Sequence, residues 1–140
     1  MIKIRGQDRH GAGHYLAPRG SRKHNGIDII CHKNESVICF ESGKITKIGF
    51  PYNPNDAKKG HLRYCEVTVG SGLKHRYFYV ESIFLVGTLV ERGDTIAWCQ
   101  GLEDVYTGIS QHYHFEIKKP DGSFIDPQEY LKGIGYEFLG

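Results

Sequence analysis

Short apolar runs, each alternating with polar residues or rich in β-branched ones, recur at Ile27 to Cys31, Ser36 to Phe40, Lys44 to Phe50, Tyr64 to Val69, Arg76 to Val80, Thr95 to Trp98 and Tyr113 to Lys118. Glycine, proline, asparagine and aspartate separate them, so the pattern predicts about seven strands, mostly antiparallel because their connections are short. Two polar, turn-rich stretches interrupt the series, Pro51 to Gly60 and Gly101 to Gln111. Long irregular segments in a small β domain often wall a binding site. The helical signal comes late: Asp126 can cap, Pro127 suits the first helical position, and Glu129 stands three residues after the cap. That arrangement predicts a helix of one or two turns. Val80 to Leu85 reads as strand ends, given its β-branched and aromatic residues. The expected fold is a mainly β, antiparallel sheet or sandwich with a short C-terminal helix, in one domain over residues 1–140.

Composition agrees with short strands and tight turns, since 18 glycines and nine tyrosines stand beside a single methionine and a single tryptophan. The 18 Lys and Arg nearly balance 16 Asp and Glu, so nucleic acid is not an expected partner. No run approaches the roughly 20 apolar residues of a membrane span, and the N-terminal stretch lacks the apolar segment of a secretory signal. Neither membrane insertion nor signal-directed export is expected, and a monomer is. Four cysteines form no C-x-x-C pair and read as reduced, buried thiols. Cys31 and Cys39 flank a turn-like segment, which leaves a hairpin disulfide between them open.

The eight histidines supply the candidate chemistry through their spacing. In Gln111 to Ile117 a period of two places His112, His114 and Glu116 on one strand face and Tyr113, Phe115 and Ile117 on the other. The second face is core; the first is a polar site, where one imidazole can bind a metal while the other reaches a water. His24 and Asp28 would lie about 13 Å apart if their segment were extended, so sharing an ion requires a bend. Asn25-Gly26 supplies turn chemistry at that point. Two histidines and one carboxylate, without thiolate, make the donor set of a catalytic zinc site with an open position. His75 reads as an exposed turn residue. His10, His14, His32 and His61 read as surface or satisfied residues. Arg19, Arg22 and Lys23 are candidates for steering acidic groups, and Tyr15 and Tyr106 for lining a groove.

The H-x-x-x-D of His24 and Asp28, followed in order by the H-x-H of His112 and His114, resembles the lysostaphin-type zinc metallopeptidases, family M23. The segments HNGIDI, VICFESGKITKIG, FLVGTLVERGDTIA and GISQHYHFEIKKPDGSFIDPQEYL carry the resemblance over roughly residues 13–132. DRHGAGHYLAPRGSRKHNGIDIIC and VYTGISQHYH are closest in pattern to the leukocyte-cell-derived chemotaxin branch. The resemblance implies a groove, Zn2+ on His24, Asp28 and His114, a catalytic His112, and hydrolysis of peptidoglycan stem or cross-bridge peptides. With that function and no secretory signal, the chain is expected to be made in the cytoplasm and to act on the cell wall after release by lysis or a dedicated secretion route. One position departs from the family. Active members carry a second catalytic histidine in a Y-x-H-L strand, and Tyr79 stands there in Tyr77-Phe78-Tyr79-Val80. A phenol is a poor base near neutrality but can donate to an oxyanion. The alternative expectation is therefore a catalytically silent zinc-binding recognition module of the chemotaxin type.

Overall fold

The computed structural model describes residues 1–140. Each predicted run forms a strand: β3 (Ile27–Ile30), β4 (Ser36–Ile38), β5 (Gly43–Gly49), β6 (Tyr64–Val69), β7 (Lys74–Phe78), β10 (Thr95–Cys99) and β11 (His112–Lys118). Val80 to Leu85, read as strand ends, holds β8 (Val80–Ser82), and the pattern missed only two-residue strands, β1 (Pro18–Arg19), β2 (Arg22–Lys23), β9 (Leu89–Val90) and β12 (Phe124–Ile125). Those are too short to show a period. The larger sheet runs β12-β11-β7-β6-β5-β9, with β3 also on β11, and a smaller one runs β4-β10-β8. All named pairings are antiparallel.

The two sheets share one apolar core. Val37, Val80, Ile96 and Ala97 from the smaller sheet belong to the same buried cluster as Ile45, Val67, Tyr77 and Phe115 from the larger. Alternation along β11 explains the division of labour, because Phe115 and Ile117 are fully buried in that cluster while His112, His114 and Glu116 take the opposite face. The helix α1 (Pro127–Gly133) closes one end of the core with Leu131. Asp126 caps it by accepting from the Gln128 amide. Glu129 does not return the bond expected of a capping box; it lies toward Lys132, 3.8 Å away.

Two expectations are corrected here. All four cysteines are free and buried, and β4 pairs with β10 rather than with β3, so Cys31 and Cys39 are not opposed across a hairpin. His75 is not exposed. It lies on the core face of β7 opposite Val67 and Ile117, wedged edge-on against Phe115 and Tyr130, with neither ring nitrogen hydrogen-bonded. Burial pushes its pKa down to about 4. The unfolded chain therefore takes up a proton near the ordinary value of 6.5 that the native chain resists. The stability linked to this residue is whole above that value and is lost as pH falls toward 4, by about 2 kcal/mol at pH ~5. Urea unfolding at both pH values should show that loss in the native sequence and a much smaller one in His75→Leu. Equal losses would contradict it.

Candidate metal centre and groove

Strand β3 delivers Asp28 and strand β11 delivers His114, and the two residues are direct cross-strand partners. Their side chains must therefore share a face. His24 reaches the same point because the chain bends at Asn25 and Gly26 before β3 begins. Gly26 matters for space rather than for a left-handed backbone: an added Cβ would run into the Phe115 carbonyl and approach Glu116 Cβ to 2.9 Å. No side chain fits between the bend and β11.

Three donor atoms converge. His24 Nε2 lies 3.0 Å from His114 Nδ1, and Asp28 Oδ1 lies 3.1 Å from each. The outer partners decide which atoms carry lone pairs. His24 Nδ1 meets the His14 carbonyl at 3.0 Å, so it must donate, which leaves Nε2 free to accept. His114 Nε2 meets Glu116 Oε1 at 2.8 Å and donates there, which leaves Nδ1 free. Two lone pairs and a carboxylate oxygen facing one another at 3 Å repel unless a cation or proton lies among them. A tetrahedral ion with bonds of 2.0–2.1 Å has donor–donor edges of about 3.3 Å. The cluster of His24, Asp28 and His114 therefore fits a metal ion with only a slight opening.

The remaining oxygen of Asp28 is held from behind. Arg5 Nε and Nη2 donate to Oδ2 at 3.1 and 2.9 Å, with Arg19 at 3.4 Å. With no metal among the three donors, the proton that relieves this repulsion lies on His114 Nδ1; burial opposes ionisation of Asp28, but the bond from His114 holds its carboxyl well below the usual range. Burial likewise opposes protonation of His114, yet Asp28 and Glu116 push it up to about 9. Glu116 is anchored by Arg76 at 3.2 Å.

His112 sits beside the cluster without joining it. Its Nδ1 donates to the Ser110 carbonyl at 2.7 Å, so Nε2 faces the site with a lone pair, 3.5 Å from Asp28 Oδ2. Burial draws its pKa below the ordinary value against the pull of Asp28. Tyr79 approaches His112 edge-on, with ring centroids 6.2 Å apart. Its backbone is held at φ 69 by bonds from its amide to Arg63 and from Gln100 to its carbonyl. Burial and the neighbouring Tyr52 push its phenol well above 10, so it remains neutral.

These residues floor a groove of about 450 Å³. As the two turn-rich stretches suggested, Pro51 and Tyr52 come from one and Tyr106 and Ile109 from the other. The walls meet where the Tyr52 and Tyr106 hydroxyls approach to 2.7 Å, with Tyr79 at 3.5 Å from Tyr52. Arg19, Arg22 and Lys23 also line the groove. Tyr15 does not; it packs against the core. His10 is satisfied by the Thr107 carbonyl and, unlike the other histidines read as surface residues, lies on the groove wall. Sequence reasoning missed Arg5, which lies 23 residues from Asp28 and has no local signal. It also gave Glu116 no role, although its place two residues past His114 on one face was a usable signal.

The sequence profile of Peptidase family M23 matches residues 22–127. Leukocyte cell-derived chemotaxin-2 of Bos taurus is 31% identical over 129 residues, covering 92% of this chain and 80% of its own. The Mus musculus protein of the same name is 32% identical with the same coverage. Among solved structures, the catalytic domain of the antimicrobial peptidase lysostaphin from Staphylococcus simulans aligns with a TM-score of 0.67 at 22% identity, over 87% of this chain and 90% of that one. The solution structure of lysostaphin gives 0.71 at 23% identity over 98% of this chain, which spans 57% of that protein. The two structural likenesses establish a shared fold.

Proposed function

Because the chain belongs to peptidase family M23, we propose that it is a zinc metalloendopeptidase that hydrolyses peptide bonds in bacterial peptidoglycan stem or cross-bridge peptides. The observation that supports this reading is the triangle of lone-pair donors opening on a groove, with His112 poised beside it. His24 Nε2, Asp28 Oδ1 and His114 Nδ1 would hold zinc, which supplies polarisation of the scissile carbonyl and acidification of water when bound. His112 Nε2 takes the proton from the attacking water and returns it to the leaving amine. Glu116 and the His14 carbonyl keep the ligand imidazoles in their working tautomers. The Tyr79 hydroxyl, neutral throughout, donates to the developing oxyanion.

Purified peptidoglycan analysed by mass spectrometry tests the reaction. Slow, zinc-dependent release of new peptide fragments is expected, lost on His112→Ala. A second reading, a zinc-binding recognition module without hydrolysis, draws support from the phenol at position 79. Retention on the wall without any fragments would select it.

The metal assignment has its own check. The purified protein should carry one zinc per chain, lost on His114→Ala and on Asp28→Ala. Since His114 is held protonated near neutrality by Asp28 and Glu116, zinc uptake at neutral pH should release a proton from the cluster. Calorimetric titration in buffers of different ionisation enthalpy reads that proton. Buffer-independent heats, or full zinc content in His114→Ala, would refute the assignment.

A further inference from the structure

The β1–β2 hairpin stands at the mouth of the groove and sets Arg19 and Arg22 directly opposite each other. Like charges in that relation destabilise a strand pair. Arg19 is engaged, since its Nη2 donates to the Ala12 carbonyl at 2.7 Å and reaches Asp28. Arg22 and Lys23 are different: both are exposed, and neither takes part in any of the ion pairs. The two carboxylates lining the groove, Asp28 and Glu116, already face their own cations in Arg5 and Arg76. The mouth thus concentrates uncompensated positive charge in a chain whose total is only +2. Lys59 Nζ lies over the rings of the groove residues Tyr52 and Tyr106, at 5.0 and 5.5 Å from their centroids.

We propose that the hairpin selects anionic substrates, with Arg22 and Lys23 binding a free carboxylate on a peptide lying in the groove. For turnover this rests on the peptidase reading above; for binding it does not. Within that reading it favours acidic stem peptides over uncharged glycine cross-bridges. A carboxylate at Arg22 forms charge-assisted hydrogen bonds and relieves the repulsion between Arg19 and Arg22, while Lys23 adds its charge from within the screening length. At an exposed rim each contact is worth a few-fold in affinity, and the two together about tenfold.

Two stem-peptide dimers that differ only in the α-carboxyl of D-glutamate, free in one and amidated in the other, provide the test. Affinity and kcat/KM are measured for each. The native protein should bind the acid form about tenfold more tightly, a preference that shrinks as salt shortens the screening length. Arg22→Gln/Lys23→Gln should lose the preference, and Arg22→Glu/Lys23→Glu should reverse it. Lys119→Gln/Lys132→Gln, which removes two charges from a distant surface, should retain it. Equal affinity for the two forms, or a preference that survives in Arg22→Gln/Lys23→Gln, would overturn the proposal. Preference without hydrolysis leaves the hairpin assignment standing and removes the peptidase reading; hydrolysis without preference does the reverse.

Discussion

Replacing Tyr79 by His is expected to raise kcat/KM on peptidoglycan peptides by about 10²-fold, at the lower end of the 10²- to 10⁴-fold that one general acid or base contributes. The position already lies beside His112, and its buried phenol cannot accept a proton near neutrality because its pKa stands well above 10. An imidazole there adds the second base without moving the cluster of His24, Asp28 and His114. The backbone should tolerate the change, since φ at position 79 is 69 and histidine enters that region more readily than most residues. The shorter ring will not reach the Tyr52 hydroxyl, but the 2.7 Å bond from Tyr52 to Tyr106 remains to hold the groove wall. Tyr79→Phe is the companion variant. If the phenol donates to an oxyanion, this change lowers the residual rate while leaving KM nearly unaltered. A Tyr79→His protein that binds zinc and melts normally yet is no faster would favour the recognition module.

Arg5→Met is expected to lower the unfolding free energy by about 3–5 kcal/mol, because it strands a buried carboxylate. Arg5 and Asp28 are each only 3% exposed. The same guanidinium binds Asp8 and the Gly11 carbonyl, and Asp8 in turn accepts from the Ser110 amide. The loss should depend on metal. Zinc held by the native state alone would stabilise it by about 4 kcal/mol at a thousandfold excess over its dissociation constant, and its charge would also serve Asp28. Thermal melts of both proteins, with zinc and with chelator, should show a fall on chelation and a larger Arg5→Met effect in the chelated form. Identical effects in both forms would mean that Arg5 and the metal do not share Asp28. A melting curve unmoved by verified zinc removal would remove the metal from the account of stability.

The strands were legible where a two-residue period ran for several residues, as in β11, whose core and site faces follow from alternation alone. His75 was misread because nothing local distinguishes a histidine facing solvent from one facing Phe115 and Tyr130. Asn25-Gly26 announced a bend correctly, but its physical reason, the nearness of β11, involves residues some 90 positions away. The hairpin disulfide left open for Cys31 and Cys39 failed for a related reason: strand neighbours in sequence need not be neighbours in a sheet, and β4 went to β10.

By itself the sequence determined the strand-rich architecture, the short capped helix, the candidate ligand residues and the departure at Tyr79, since all of these lie in local spacing and residue chemistry. Only the tertiary structure decided which lone pairs face one another and which carboxylates are already neutralised. It also decided which cations are left free at the groove mouth. Those properties depend on the packing of β3 against β11, of Arg5 behind Asp28 and of two loops around the site. Hydrogen-bond direction and charge compensation act over a few ångströms between residues distant in the chain, so they come into being only when the sheet assembles.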